Sequence, residues 1–579
     1  MILQALADYY KRKVVDSGSE MPAEGWEWKE IPFLAVVNAE GDFVRFEDTH
    51  EQQGEKLRAH RYLVPSLGEK KGNGIKSNLL WENIEYMFGI PVPTKAKTNP
   101  DPERVRKQHE VFQARINALG GDGPVIEAVQ RFVKKCVIAE VQKDPLWPTL
   151  RDTNPNVLLY LEGNGAVTDD PDVRALVNNA DHDQEAKIGV CLVSGTEDRI
   201  VRLEPPIKGV RGNDRKAERA LVSFNIESFN SFHKDQNFNA PIGKSTSFAY
   251  AAALNHLLGK DSKQKMPIGD ATAIFWAEKS TDFEQQIVDF FGEPPKDDPD
   301  RNARAVESLF RAPQSGAMPV AEDKTKFYVL GLAPNASRIS IRFWIVNTVA
   351  AMSGKIRQHF EDIRIIHGPR DKDAFSLFRM LVCTATQGKA ENIAPNLGGD
   401  TMRSILEGLP YPQTLLQAAI RRIRAEHEVT HIRAALIKAY LNRLTRFKNA
   451  VQMEEIKVSL DNSNTNIGYR LGRLFATLER LQIRVHTQDG GKEPNSTIRD
   501  RYYGSASGTP IAAFGTLIRL SKHHLSKLGK PGERVFFEKL FGQIMEDVGD
   551  FPAHLKLEDQ GRFAIGYYHQ MQDFFLKKS

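Results

Sequence analysis

Cysteine is scarce: Cys136, Cys191 and Cys383 are the only three thiols in 579 residues, and they stand far apart. No Cys-x-x-Cys pair occurs, which excludes a zinc ribbon or finger built on one. A reducing, cytoplasmic setting is expected for such a chain. Long apolar runs are also missing; none approaches 18 residues, so no membrane-spanning helix is encoded. The opening Met1-Ile2-Leu3-Gln4-Ala5-Leu6-Ala7 is apolar but short, and its charges follow instead of preceding it, unlike a secretory signal. Gly and Pro, at 42 and 30 residues, are too ordinary for a collagen-like, low-complexity or wholly disordered chain. Charge of one sign is nearly absent in sum, since 79 Lys and Arg face 74 Asp and Glu. Any polyanion-binding surface must therefore come from local clustering. No fixed-period repeat is found.

What is present is enough apolar sequence for a large core and two or three domains. Phe33–Val37 and Phe43–Phe46 flank a short Gly-containing loop and predict a β-hairpin. Leu79–Phe88 predicts a short helix ending at Gly89. Asp101-Pro102 is a helix start whose helix runs to about Leu119. Residues 156–162 and 188–193 are strand-like, and Phe248–Leu258 predicts a buried helix. Thr281-Asp282-Phe283-Glu284 has capping-box spacing, with the helix stopping at Gly292. Residues 293–303, rich in Pro and Asp, predict a linker or surface loop. A second hairpin pairs Phe327–Leu330 with Arg338–Trp344; its alternation places Ile339, Ile341 and Phe343 on one face and Arg338, Ser340 and Arg342 on the other. Beyond Trp344 helical periodicity dominates. The expected fold is α+β: a mixed N-terminal domain over residues 1–350 and a helical bundle over 351–579.

His427-Glu428-Val429-Thr430-His431 spells H-E-x-x-H, which on a helix sets two imidazoles on one face for Zn²⁺ with Glu428 as base. Arg421, Arg422, Arg424 and Arg433 crowd it and oppose a dication, and Ala434 and Ile437 stand where the extended motif needs Gly and His. Gly243-Lys244-Ser245-Thr246 has a P-loop ending, but Phe238 replaces the required glycine and no phosphate cradle precedes it. The acidic runs Asp169–Asp172 and Asp297–Asp300 could serve a Mg²⁺ nuclease, although such proline-punctuated loops are ordinarily solvated.

Two basic stretches remain. Residues 53–78 carry six cations, and their centre, Lys70-Lys71-Gly72-Asn73-Gly74-Ile75-Lys76-Ser77-Asn78, is expected to be an exposed loop. Asn and Lys read base edges, and glycine lets backbone approach a groove. Further on, Arg421, Arg422, Arg424, Arg433, Lys438, Arg443, Arg446 and Lys448 place eight cations in 28 residues. A solvated helix face and a phosphate-tracking stripe are the two readings of that run.

Several stretches in collinear order resemble one family, the large subunit of the subtype I-C CRISPR effector complex (Cascade). They include the opening Met1–Tyr10, Asn78–Gly89, Ser223-Phe224-Asn225, Asn239-Ala240-Pro241 with Tyr250–Leu258, Phe275–Glu278 and Leu332–Arg338. The most specific lie in the tail: Gly468-Tyr469-Arg470-Leu471-Gly472-Arg473-Leu474-Phe475-Ala476, Arg501–Ser507 and Gly566-Tyr567-Tyr568-His569-Gln570. The resemblance implies a subunit without catalysis, cofactor or metal, whose N-terminal domain reads a protospacer-adjacent motif in duplex DNA and helps open it. Its helical bundle would hold the displaced non-target strand and stabilise the R-loop. The assembly would carry crRNA on backbone and foot subunits and recruit a separate helicase-nuclease, so that protein reads the motif and pairing reads the sequence.

On that footing Lys70, Lys71, Asn73, Lys76 and Asn78 are the expected motif contacts. The stripe Arg421–Lys448, with Arg470 and Arg473, is the expected strand contact. Tyr502 and Tyr503 could stack bases, with core packing the stronger reading. Family practice further implies a small subunit made from an internal start, for which Met453 is well placed; it would span residues 453–579. The competing reading is a metal-dependent DNA-processing enzyme, either a nuclease or a zinc hydrolase through His427 and His431.

Overall fold

A computed structural model describes the chain except residues 17–20, 54–55, 68–73, 94–98, 136, 181–186, 211–218, 225, 299, 316–323, 336–337, 449–453, 547 and 576–579. About 51% of the chain is helix and 16% strand, an α+β architecture. It divides into two compact units: Met1–Lys208 with Ala217–Gly259, and Gly209–Lys216 with Lys260–Ser579.

The first unit is built on a sheet in the order Phe43–Asp48, Phe33–Val37, Asn156–Leu161, Trp81–Asn83, with Gly165–Ala166 beside the third strand. Phe33–Val37 is buried along its whole length, as expected of a central strand, and runs parallel to Asn156–Leu161. Its alternate residues serve two cores. Phe33, Ala35 and Val37 join a core completed by helices Pro102–Asn117 and Pro124–Lys135; Leu34 joins Ile31, Val64 and Trp81 on the opposite face. The hairpin loop is held by Gly41, at φ +84°, where a Cβ would lie 2.6 Å from that of Arg131. Only glycine fits both the left-handed backbone and this approach to the helix. The expected helix over Leu79–Phe88 is corrected: Trp81–Asn83 pairs as a strand, and Asn83 then caps a short helix, Ile84–Phe88, closed by left-handed Gly89. Tertiary pairing with Asn156–Leu161 outweighs helical propensity there.

The second unit opens with a four-stranded antiparallel sheet, Lys265–Ile268, Ala271–Ala277, Lys326–Asn335 and Arg338–Thr348. The boundary expected near residue 350 falls inside this unit. One contiguous core runs from Met266 on the sheet to Tyr568 near the end of the chain, so the change of sequence texture marks a change of element and not of domain. The alternation expected for Arg338–Trp344 also breaks, within the strand Arg338–Thr348. The pairing register shifts between Gly331 and Leu332, which leaves Arg342 as the extra residue of a bulge. Ile341 is therefore 45% exposed while Phe343 is buried. The expected linker at 293–303 is tied down by the Arg304–Asp298, Lys372–Asp300 and Arg379–Glu293 pairs, and Arg301 begins a helix.

The helices of this unit organise around one pair, Ile467–Thr487 and Leu557–Phe575. Gly472 lies against Phe563 O, Gly566 against Tyr469 O and Gly468 against Asp559 O, each so close that a Cβ would overlap the carbonyl oxygen. Backbone meets backbone along two full turns. Around the seam Phe475, Tyr503, Phe563 and Tyr567 form an aromatic cluster with ring centroids 5.6 to 6.1 Å apart. Tyr503 is thus a core residue, 2% exposed, and Tyr502 is half-buried.

Substituting Gly472→Ala should cost about 3 kcal/mol through overpacking, whereas Gly542→Ala, on an exposed helix with open space at its Cβ position, should gain up to about 1 kcal/mol from helix propensity. Urea midpoints of the two variants should move in opposite directions. Two buried imidazoles predict acid lability. His359, which shares a 2.5 Å hydrogen bond with the Tyr411 hydroxyl, is pushed down to about 3 by burial and by Arg443. His569, which accepts from the Tyr469 hydroxyl at 2.9 Å, is pushed down to about 3 by burial and by Lys438. Both fold neutral, so below an unfolded value of about 6.5 only the unfolded chain takes up these protons, and stability falls with pH between about 6.5 and 3, by about 1.4 kcal/mol per unit for each histidine. In thermal melts the paired variant His359→Asn/His569→Asn should show a shallower acid slope than the wild type.

Candidate nucleic-acid interface

Lys70, Lys71 and Asn73 lie outside the described residues, as does Met453. The stem of their loop is described. Trp81 Nε1 donates to Pro65 O at 3.0 Å and closes the stem across 16 residues. Asn78 belongs to that stem and is buried; its backbone N–H and its side-chain amide both donate to Glu82 Oε1, at 2.9 and 3.1 Å. Its role in the structure is to fasten the loop, which corrects the expectation that it faces solvent. Lys76 is half-buried.

Beside the stem lies a ribbon that sequence reasoning missed, Trp26–Glu30 paired with Arg61–Pro65. Arg61 sits 5.7 Å from the ring of Trp28, and Lys29 5.2 Å from that of Trp81. Trp81 is buried, whereas Trp28 is 36% exposed with Arg61 over it, and that pair is a surface suited to bases and phosphates. The signal was the Trp-Glu-Trp-Lys run at 26–29, short enough to pass for an ordinary strand.

The expected C-terminal stripe is not one surface. Helix His431–Phe447 is buried on all sides through most of its length, and its cations turn inward. Arg443 donates to Asp362 Oδ2 at 3.0 Å, to Leu409 O at 2.7 Å and to Ser404 O at 2.7 Å, with Tyr411 beneath it at 4.8 Å. Lys438 donates to Asp362 O at 2.9 Å, and burial pushes its ammonium down to about 8. Arg446 bridges Asp362 and Glu455. Arg433 reaches Cys383 O, Glu428 O and the Glu426 carboxylate, which Arg422 also binds. Against the pull of burial, these two arginines hold Glu426 below the usual carboxylate range.

Several of these acceptors are carbonyls near the C-terminal ends of helices Leu397–Glu407 and Val349–Ile363, where the helix dipole favours positive charge. Arg470 and Arg473 are buried too, bonded to Asn464 O and Ile544 O and to Gln570 and Asn462. Arg424 is half-buried; Arg421 and Lys448 alone of the ten are exposed.

Exposed positive charge in this unit gathers instead on helix Pro510–Ser526 and the turn after it. Arg519, Lys522, His523, Lys527 and Lys530 are exposed and follow helical spacing, and none is in an ion pair among the described residues. His524 lies with its ring 6.2 Å from that of His486 and is held below its usual value by burial, with His486, Lys527 and His523 adding. The signal was legible as Arg-Leu-Ser-Lys-His-His-Leu-Ser-Lys at 519–527, but the run at 421–448 is denser and outweighs it in the sequence.

The catalytic motifs take other shapes. His427 is left-handed at the C-terminus of helix Gln413–Glu426, and Thr430 caps the next helix. The two histidines thus straddle a turn instead of sharing a helix face, and His431 stacks near His367, 4.8 Å between rings. Gly243 precedes helix Lys244–Leu257, whose first turn is capped by Asp198 bonding Ser245 N and Oγ. A carboxylate thus occupies the place a phosphate would take. Asp170 caps Pro171–Asn179, and Asp169 pairs with Arg174. Among the described residues no group of three His, Cys, Asp or Glu is placed to hold a metal ion, and no helix is long and apolar enough to cross a membrane.

Fold and surfaces define a large α+β chain with separate cation-bearing faces on its two units. A family model described as CRISPR-associated protein (Cas_Csd1) matches residues 6–575, which is nearly the whole chain and includes both units. The chain belongs to this family of CRISPR-associated effector subunits. No curated protein matches the sequence.

Arg443→Ala leaves Asp362 short of a buried partner and takes the guanidinium donor from Leu409 O, while Ser404 O keeps its bond from Leu409 N. It should cost about 3–5 kcal/mol, read as a lowered Tm. Arg421→Ala, on the surface, should change stability by no more than about 0.5 kcal/mol.

Proposed function

We propose that this chain is the non-catalytic large subunit of a subtype I-C Cascade. It reads a protospacer-adjacent motif in duplex DNA, helps unwind it, stabilises the displaced strand, and enables the helicase-nuclease to be recruited. The family match along nearly the whole chain carries this reading. The described flanks of the 70–78 stretch support it, since Trp81 and Asn78 are fastened by hydrogen bonds beside exposed Trp28 and Arg61, a surface suited to DNA. Lys71, Asn73 and Lys76 remain the proposed motif contacts. The displaced strand is better served by Arg519, Lys522 and Lys527 than by the buried stripe, because phosphates need cations that water can reach. Its partners in this reading are crRNA-bearing backbone and foot subunits and small subunits, one possible source of the latter being translation from Met453.

The tagged chain, expressed with its neighbouring genes and a CRISPR array, should purify with crRNA and bind only duplexes carrying the correct flanking motif. Asn73→Ala or Lys76→Ala should reduce that binding at least about tenfold. Arg519→Ala/Lys522→Ala/Lys527→Ala should leave Tm unchanged. It should also lower the slope of log affinity against log salt for a single-stranded oligonucleotide by about 2, near 0.7 for each phosphate no longer neutralised. A chain that purifies without RNA and cleaves DNA with Mg²⁺ or Mn²⁺ overturns the proposal.

A further inference from the structure

In the first unit a small hairpin, Ile188–Val190 with Glu197–Arg199, stands with one edge open. Ile200 N bonds Lys187 O and Cys191 N bonds Thr196 O, so residues 187, 189 and 191 carry the hairpin's own hydrogen bonds. The N–H and C=O groups of Ile188 and Val190 therefore point away from it, and no strand among the described residues pairs with them. The side chains are as open as the backbone: Ile188 is 73% exposed and Val190 55%. An exposed apolar edge is what folded proteins ordinarily blunt with charge or proline, and this one is neither charged nor capped.

The edge borders a groove of about 760 Å³, whose far wall is Phe224 and the segment from Ile226 to Pro241. That wall adds Ile226, 51% exposed, and beyond it Phe232, 90% exposed. Phe232 and His233 form a two-residue turn with φ of +50° and +56°, a conformation usually left to Gly and Asn. Asn239 clamps that turn, accepting from Ser231 N at 2.8 Å and donating to Lys234 O at 2.8 Å and Gln236 O at 2.9 Å. The apolar tip is thus presented by a rigid loop.

The charges of the groove decide what can occupy it. Lys187 lies over the Phe238 ring at 5.0 Å, and Arg202 donates to Gln236 Oε1 at 2.7 Å. Lys187, Arg202 and exposed Lys234 share the lining with Glu227 and Asp235, so the groove is mixed in charge and close to balanced. A phosphate chain would meet those carboxylates; a near-neutral polypeptide strand would not, and its own amides and carbonyls match the open edge.

We propose that Ile188–Val190 seats an extended segment of a partner protein chain, apolar at alternate positions, which adds to the hairpin as a third strand. The proposal rests on the chain's assembly into an effector complex. Hydrogen–deuterium exchange is measured on the full chain alone and on the chain purified from cells co-expressing its neighbouring genes and a CRISPR array. The Ile188 and Val190 amides should exchange at least about tenfold more slowly in the complex, and the Cys191 amide, bonded in both states, should not change. Ile188→Lys places charge on the edge without touching the hairpin's bonds and should lose the protecting chain with Tm unchanged; Val190→Pro removes an outward N–H, at the cost of fixing φ there, and should lose it too. Equal exchange in both states, with undiminished assembly of the two variants, overturns the seat while leaving the effector reading intact. Protection that arises from a second copy of this chain, shown by a dimer that Val190→Pro dissociates, overturns the hetero-partner assignment. A wild-type chain that brings down no other subunit overturns the assembly reading, and the seat with it.

Discussion

The C-terminal helices are held by a contact that involves almost no side chain. Where Ile467–Thr487 crosses Leu557–Phe575, Gly468, Gly472 and Gly566 let carbonyl oxygens of one helix lie where a Cβ of the other would be. Helix axes can come this close only where side chains are missing, and packing at such density transmits any displacement. The flanking residues follow from it. Tyr469 reaches His569, and Arg473 reaches Gln570, because the two backbones are near enough for short polar bridges. Aromatic rings then fill the flanks of the seam. The glycines explain why two stretches so far apart in the chain are both so particular in composition.

The buried cations follow a related logic. A guanidinium can enter a core only if its N–H groups meet acceptors, and helix C-termini are concentrated sources of carbonyl oxygen. Arg443 and Lys438 serve the ends of two helices at once and meet at Asp362. The positive charge of residues 421–448 is thus largely consumed in joining helices. Among the described residues, Arg519, Lys522 and Lys527, on helix Pro510–Ser526 and just after it, stay exposed and outside ion pairs. The net charge of +5 could not have said which cations those are.

Much of the fold was legible because its signals are local. Asp101-Pro102 joins a capping side chain to a first-turn proline, and the Pro102–Asn117 helix begins there, with the Asp101 side chain accepting from Glu103 N. The hairpin around Gly41 and the helix stop at Gly292 depend on backbone conformations a few residues long. The misreadings share a different cause. Trp81–Asn83 is a strand because Asn156–Leu161 lies beside it, and Ile341 faces outward because a bulge at Arg342 shifts the pleat. His427 and His431 lie across a turn, though their spacing suits a helix. The strand and the bulge are set by partners distant in sequence, and the histidine turn by left-handed His427 and the Thr430 cap.

By itself the sequence determined the α+β composition, several local helix starts, stops and hairpins, and, through its collinear motifs, the family. Those properties reside in short-range backbone preference and in residue identity, which need no partner to be read. Tertiary structure alone decided which cations are surface and which are mortar, where one core ends and another begins, and which strand edge is left open. Burial is a property of the assembled chain: a charge is exposed or satisfied only once the helices around it have closed.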